Sequence, residues 1–388
     1  MDISVPLPLR SLRFFVGQLL GACLMLLLGC SEPVDLTFEP SQAGSFRTQQ
    51  SRLFLYDENA WSLCNQSEYT PPSLCFGLSG GRGQYLDANG NLYVRGCEAG
   101  VCGPAIWNGS DSPRFLSALS DWSQLRVSNI QTNSHGSVLV TGTDLLGRPF
   151  GKVIRPSGDL VELDMSGPER FYPSRNFHSA TWIADNDVVV GYYGGEGSTW
   201  DSRSGVRTGT GIPSQLLGIS ENGTLVGHIW SGAHPCFGKG VVIAPGKDPV
   251  CFSDLVGVQA AVMGVAASGI MWGIYWATEM SPQAGFLWDG RLFHTAESIG
   301  FPPCSNVNQN RFNPTLVFTS GRGFGTSCNR PVVFDLSGGK VSFDFVDFQT
   351  LGDPAALNLL AMNERGTLAG TLRYSNVRGT PWALWILR

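Results

Sequence analysis

The chain has 388 residues, a formal net charge of −5, 49 glycines and 22 phenylalanines, and only 15% of its residues are charged. The length admits two domains, but abundant glycine, frequent aromatics and sparse charge describe many short strands joined by tight turns, not helices. The balance becomes −6 once Asp2, Arg10 and Arg13 leave with residues 1–29. It excludes a nucleic-acid backbone as partner, because phosphate binding needs a concentrated basic face.

Arg10 and Arg13 precede an apolar run from Phe14 to Leu28 that ends in Leu27-Leu28-Gly29-Cys30. About 15 residues fall short of the roughly 20 that cross a bilayer, so the run reads as a secretory signal segment. Its last four residues resemble the lipobox of bacterial lipoproteins. That resemblance implies cleavage before Cys30, diacylglycerol on its thiol and an acyl chain on the new amino group, an anchor of several chains that holds where one would not. Ser31 after the cysteine implies, by the enterobacterial pattern, sorting to the outer membrane of a Gram-negative cell. Ser31 to Gln50 is polar, holds Pro33 and Pro40, and reads as a tether. Residues 1–29, 30–50 and 51–388 are thus expected as signal peptide, lipidated tether and one repeat domain.

The repeat is clearest at Ile219-Ser220-Glu221-Asn222-Gly223-Thr224-Leu225-Val226-Gly227. Asn222-Gly223 predicts a two-residue hairpin turn with positive φ at both positions, between Leu217–Ser220 and Thr224–Trp230. Gly240–Ala244 and Val250–Leu255 then supply a third and a fourth strand. Related copies surround Asn89-Gly90, His135-Gly136, Asn186-Asp187, Ser268-Gly269 and Arg365-Gly366. A diverged sixth copy passes Asn313-Pro314 into Leu316-Val317-Phe318 and Gly321. From Gly90 to Gly366 six steps cover 276 residues, a mean of 46.

Four short strands in such a period predict an all-β fold, a β-propeller, because a lone sheet covers neither face whereas radial stacking covers both. Seven four-stranded blades are expected. The seventh copy ends after Trp382-Ala383-Leu384-Trp385-Ile386 and lacks a fourth strand. Arg52-Leu53-Phe54, which echoes Arg291-Leu292-Phe293, is expected to supply it and close the ring. Six or eight blades and a solenoid stay open, because copies three and six are irregular.

Asn222 to Gly227, Asn363 to Gly370 and Gly285-Phe286-Leu287-Trp288-Asp289-Gly290 resemble the HAF-type extracellular repeats of bacteria, over about residues 80–388. Those repeats alternate an Asn-x-x-Gly-x-apolar-apolar-Gly element with an Ala-Phe-Leu-Trp-x-x-Gly element. The resemblance implies an exported, propeller-like protein and no defined activity. None of the copies carries the family's His-Ala-Phe.

Beyond Cys23 in the signal and Cys30, eight cysteines remain: Cys64, Cys75, Cys97, Cys102, Cys236, Cys251, Cys304 and Cys328. The count is even and the compartment oxidising, so disulfides between neighbours in sequence are expected. Zinc is disfavoured, since no Cys-x-x-Cys occurs and the histidines are scattered.

Other motifs have bland explanations. Gly77-Leu78-Ser79-Gly80-Gly81 fits a nucleophile elbow but runs into a hairpin instead of a helix. Asp87, Asn89 and Asn91 begin like a calcium loop, without the later bidentate Glu. Gly197-Ser198-Thr199-Trp200 partly matches a sialidase Asp-box and reads as a strand start. Glu98, Glu196 and Glu279 are loop acids that could serve polysaccharide cleavage, and Trp230, Trp272, Trp276 and Trp288 read as blade core before sugar platform. The expectation is a monomeric, cofactor-free binding module for a protein or a glycan. A hydrolase or lyase at the channel mouth and an envelope scaffold are the alternatives. The irregular loops Cys64–Cys75, Ser166–Phe177, Trp276–Gln283 and Pro302–Asn313 are where function is sought.

Overall fold

The computed structural model of the chain describes residues 34–36, 51–56, 74–77, 85–98, 101–108, 113–166, 178–229, 234–276, 283–305, 310–346, 354–374 and 382–387. Contacts divide the chain into Met1–Val34 and Asp35–Arg388, and the second unit carries the fold. The lipobox, Cys30, Cys64, Glu279 and Trp230 lie outside the described residues, as do most of the four irregular loops.

The described strands form seven sheets, six of them four-stranded and built from consecutive antiparallel strands. These span residues 74–115, 125–162, 178–209, 214–251, 259–295 and 313–345. The seventh joins Pro354–Met362, Leu368–Tyr374 and Trp382–Leu387 to Ser51–Tyr56, with Val34–Leu36 beyond. Ser51 stands opposite Leu387 and Tyr56 opposite Trp382, so the N-terminal strand is the missing fourth strand of the last repeat. Neighbouring side chains such as Val189 and Val190 are both fully buried although they point to opposite faces of their sheet. Both faces are therefore covered, as radial stacking demands.

Each sheet packs on the next. Leu139 and Val153 of the second sheet share a core with Val189 and Trp200 of the third, and Val226 of the fourth with Val262 and Phe286 of the fifth. Thr181 donates its hydroxyl to the Leu216 carbonyl at 2.7 Å, between the third and fourth sheets. Leu92 and Trp107 of the first sheet meet Ala361 and Ala369 of the seventh. Packing thus runs from sheet to sheet, with side chains of the seventh meeting the first, and the architecture is that of a β-propeller.

The first turn of every sheet has one geometry. In the fourth, the Ser220 N–H donates to the Thr224 carbonyl at 2.9 Å and the Gly223 N–H to the Ser220 carbonyl at 3.0 Å. The same pair of bonds recurs from Asp87, Asn133, Ala184, Ala266, Phe318 and Asn363. Only one residue per turn has positive φ, 81° at Gly223, and Asp187 takes that place in the third sheet with 60°. The expected two-residue turn at Asn222-Gly223 is therefore corrected to a three-residue loop with a glycine bulge. Turns with paired positive φ occur instead at Gly194-Gly195, Cys328-Asn329 and Gly338-Gly339.

One glycine in the second strand of each of four sheets is a packing residue. The first strand bulges after Val127, Ala180, Leu216 and Val262. Those residues face Gly142, Gly191, Gly227 and Gly273. A Cβ on any of these glycines would lie 2.0 Å from a first-strand carbonyl oxygen, that of Gln215 in the case of Gly227. The bulge thus requires a residue without a side chain.

Three boundaries depart from expectation. In the sixth copy Asn313–Val317 is the first strand, and the turn falls at Phe318–Gly321, ahead of Arg322–Ser327. The expected fourth strand Val250–Leu255 ends at Cys251 and gives way to a helix, Phe252–Val256. That after Arg291 is Phe293–Thr295, followed by the helix Ala296–Ile299, whose capping box pairs Thr295 with Ser298.

Candidate binding faces

A sheet whose strands alternate in direction sends its connections to two faces. First-to-second and third-to-fourth turns share one face, here the turn face. Second-to-third connections and the crossings between sheets share the other, the loop face.

On the turn face the first turns are bonded to one another. Asn133 donates Nδ2 to Asp187 Oδ1 at 2.8 Å, and the Ser134 N–H donates to Asp185 Oδ1 at 2.8 Å. The Glu221 N–H donates to the Ala267 carbonyl at 3.0 Å, and Arg322 Nη1 to the Glu364 carbonyl at 3.2 Å. Asn363 Nδ2 donates to the Asp87 carbonyl at 2.8 Å, joining the seventh turn to the first. The Asp87 carboxylate is filled by the N–H groups of Asn89 and Asn91, the Asn91 amide and the Tyr93 hydroxyl. The calcium-like Asp87, Asn89 and Asn91 are hairpin chemistry. Among the turns of sheets three to six lies a shallow depression, walled in part by Trp182, Asp185, Ile219, Glu221 and Thr319.

The loop face gathers the cysteines. Cys97 and Cys102 face each other at the end of one hairpin and are bonded, Cα–Cα 4.0 Å. Cys236, in a second-to-third connection, is bonded to Cys251 where the fourth strand reaches the same face. Cys304, in the crossing from the fifth sheet, is bonded to Cys328 in the tight turn of the sixth. Cys75 sits in the first strand of the first sheet, opposite Cys97. The four irregular loops are likewise second-to-third connections or crossings, because of the strands they join.

At the loop end of the third sheet a buried polar group surrounds Gly194-Gly195. His178 Nδ1 accepts the Gly194 N–H at 2.9 Å, and its ring centroid is 4.3 Å from that of Tyr193. The Arg207 guanidinium stacks 4.3 Å from the Tyr193 centroid. Glu196 accepts the Gly211 N–H at 2.6 Å and lies 4.0 Å from Arg207 Nη1. A buried carboxylate with a cation and an N–H donor is charge-compensated, so this group fixes the loop end of the sheet. Glu196 was legible as an acid near this face; its partners Tyr193 and Arg207 meet it only through the sheet register.

The other singled-out residues are dispersed. Glu196 begins the strand Glu196–Asp201, which includes Gly197 to Trp200. Glu98 is exposed at a strand end, Trp272 is buried, and Trp276 and Trp288 are half-buried. Phe252 packs edge-on to Trp288 at 5.4 Å. His135 is exposed in the second turn, and His228 is half-buried. His234 Nδ1 accepts the Cys236 N–H at 3.1 Å. His294 Nε2 stands 3.7 Å from Asp289 Oδ2. Among the described residues no three His, Cys, Asp or Glu side chains are placed to share a metal ion.

No protein-family model matches the chain, and no curated protein does. Among solved structures it is similar to YCF48 bound to D1 peptide, with 12% identity and TM-score 0.43, over 82% of this chain and 97% of that one. It is similar to the β-propeller domain of the Trilobed protease from Pyrococcus furiosus at 11% identity and TM-score 0.46, over 80% and 95%. It is also similar to a chain of the Mitotic Checkpoint Complex at 14% identity and TM-score 0.46, over 91% and 98%.

Proposed function

We propose that this chain is an exported, lipid-anchored propeller that binds a protein or a glycan through its loop face. One observation carries the reading: all three described disulfides staple the face that also receives the irregular loops. Covalent bracing at the ends of connections fixes loop geometry, and fixed loops bind with a smaller ordering cost. The opposite face is a uniform belt of short turns, spent on holding the ring together. The fourth strand of the seventh sheet starts at Ser51, opposite Leu387 at the turn-face end.

The HAF-type reading belongs to the same proposal. It is supported by the position of its two elements: Asn222 to Gly227 supplies turn and second strand, and Gly285 to Trp288 lies in the third strand of the fifth sheet.

The test has two arms. Palmitate labelling of the full chain is expected to disappear in Cys30→Ser; persistent label would refute the anchor. For the loop face, surface glycans on an array and purified envelope proteins are assayed against the mature chain. Replacing residues 277–282 by a Gly-Ser segment is expected to abolish the strongest signal, and Asn222→Ala is expected to keep it. Equal binding by both variants would refute the loop-face assignment.

A further inference from the structure

We propose that the outer edge of the sixth sheet pairs with the same edge of a second copy of this chain, so that two propellers share one continuous sheet. The edge stands out by its length. The outermost strands of the first five sheets have two or three residues, whereas Lys340–Phe345 has six. Ser51–Tyr56 of the seventh sheet also has six, and there Val34–Leu36 is hydrogen-bonded along it. Lys340–Phe345 has no such cover among the described residues. The register shows what the edge offers. The Val346 N–H donates to the Pro331 carbonyl at 3.0 Å, and counting back along the ladder makes Asp344–Val333, Ser342–Asp335 and Lys340–Ser337 the hydrogen-bonded pairs. The N–H and carbonyl groups of Val341, Phe343 and Phe345 therefore point away from the third strand, and no bond among the described residues engages them. Neither proline nor bulge, the devices that blunt such an edge, interrupts the strand.

The side chains choose the partner. Lys340, Ser342 and Asp344 are exposed, while Val341, Phe343 and Phe345 on the other side of the strand are half-buried. The ion pairs among the described residues include neither Lys340 nor Asp344. An antiparallel copy centred on Ser342 sets Lys340 opposite the partner's Asp344, and Asp344 opposite the partner's Lys340, in the closer, non-hydrogen-bonded pairs. The same register sets Val341 against the partner's Phe343 and Phe343 against the partner's Val341, and each of those pairs exchanges both of its N–H···O bonds. Charge thus meets opposite charge, apolar meets apolar, and Ser342 meets itself on the twofold axis, as an isologous interface requires. Centring the copy one residue to either side leaves both charges unmatched. A foreign strand would have to bring this pattern; a second copy carries it already. The pairing replaces the expected monomer with a dimer. It uses the side of a sheet and none of the loop-face connections, so it is independent of the loop-face reading.

Sedimentation velocity of the mature chain over a concentration series tests the pairing, and a reversible monomer–dimer equilibrium is expected. Lys340→Asp and Asp344→Lys each set like charges opposite one another, and each is expected to weaken the dimer roughly tenfold. The double variant, which exchanges the two charges, is expected to dimerise as the unaltered protein does. An equimolar mixture of the two single variants is expected to form heterodimers, since each supplies the charge that the other needs. Under oxidation Ser342→Cys is expected to cross-link to its own copy, and Asp344→Cys is expected not to. Thermal melts of the variants separate lost pairing from lost folding. A chain that stays monomeric at every concentration would overturn the self-pairing and leave the edge to a foreign strand. A dimer indifferent to both single reversals, or one in which Ser342→Cys forms no cross-link, would overturn it equally.

Discussion

Asn363 donates its side-chain amide to the backbone carbonyl of Asp87 at 2.8 Å, across 276 residues of chain. Its Oδ1 accepts the Thr367 N–H at 2.9 Å, and the residue is 1% exposed. One buried side chain thus shapes the seventh turn and bonds it to the first. Asn363→Ala would leave the buried Thr367 N–H without its partner and remove the bond from the seventh turn to the first, at a cost of about 2 kcal/mol. Asn222 shapes the equivalent fourth turn but is exposed and makes only local bonds. Asn222→Ala is expected to cost well under half as much in urea unfolding.

Gly227→Ala is expected to be among the most damaging single-methyl additions in the chain. The new Cβ would meet the Gln215 carbonyl oxygen at 2.0 Å, and a backbone atom cannot give way as a side-chain tip can. A loss of at least about 2 kcal/mol is predicted, against much less for Gly246→Ala, where φ is 66° but no atom lies within 4 Å. Thermal melts of the two variants supply the comparison.

Replacing Cys236 and Cys251 together by serine is expected to cost about 3 kcal/mol on the chain-entropy account of a loop with sequence separation 15. The pair Cys97 and Cys102, separated by 5, should cost less. Melting under reducing conditions should fall below both double variants, because all three described bridges are then lost.

Tyr93 makes the stability sensitive to alkali. Burial first, then the charge of Asp87 and the hydrogen bond to it, push its phenol well above the ordinary tyrosine range. A group whose folded value is raised contributes fully below its unfolded value, about 10, and that contribution is lost as pH rises from there toward the folded value. Unfolding free energy is therefore expected to fall above about pH 10, and to fall less steeply in Tyr93→Phe. Parallel slopes for the two proteins would remove Tyr93 from the account.

Much of the ring was legible in the chain. The turn glycines announced the period, and Arg52-Leu53-Phe54 announced the strand that pairs with Trp382–Leu387. What escaped depended on partners distant in sequence. The glycine at 227 looks like punctuation until the bulged carbonyl of Gln215 is seen beside it. The sixth copy was misread because Pro314 lies inside its first strand and not at its turn. The short helices carry local signals that strand alternation overshadowed: the Thr295–Ser298 capping box, and Gly257 and Gly300 with φ of 72° and 89°. The gathering of the disulfides on one face could have been read from their positions between strands, once strand directions were assigned. The group around Tyr193 and Arg207 could not, since it comes together through register.

The central claim is a closed ring whose last sheet borrows its fourth strand from the N-terminal part of the chain. Its most direct test compares two six-residue deletions in the mature protein, one of residues 51–56 and one of residues 40–45. The closure predicts a melting temperature many degrees lower for the first and nearly unchanged for the second, because only the first strips the partner of Trp382–Leu387. Equal melting temperatures for the two deletions would contradict it.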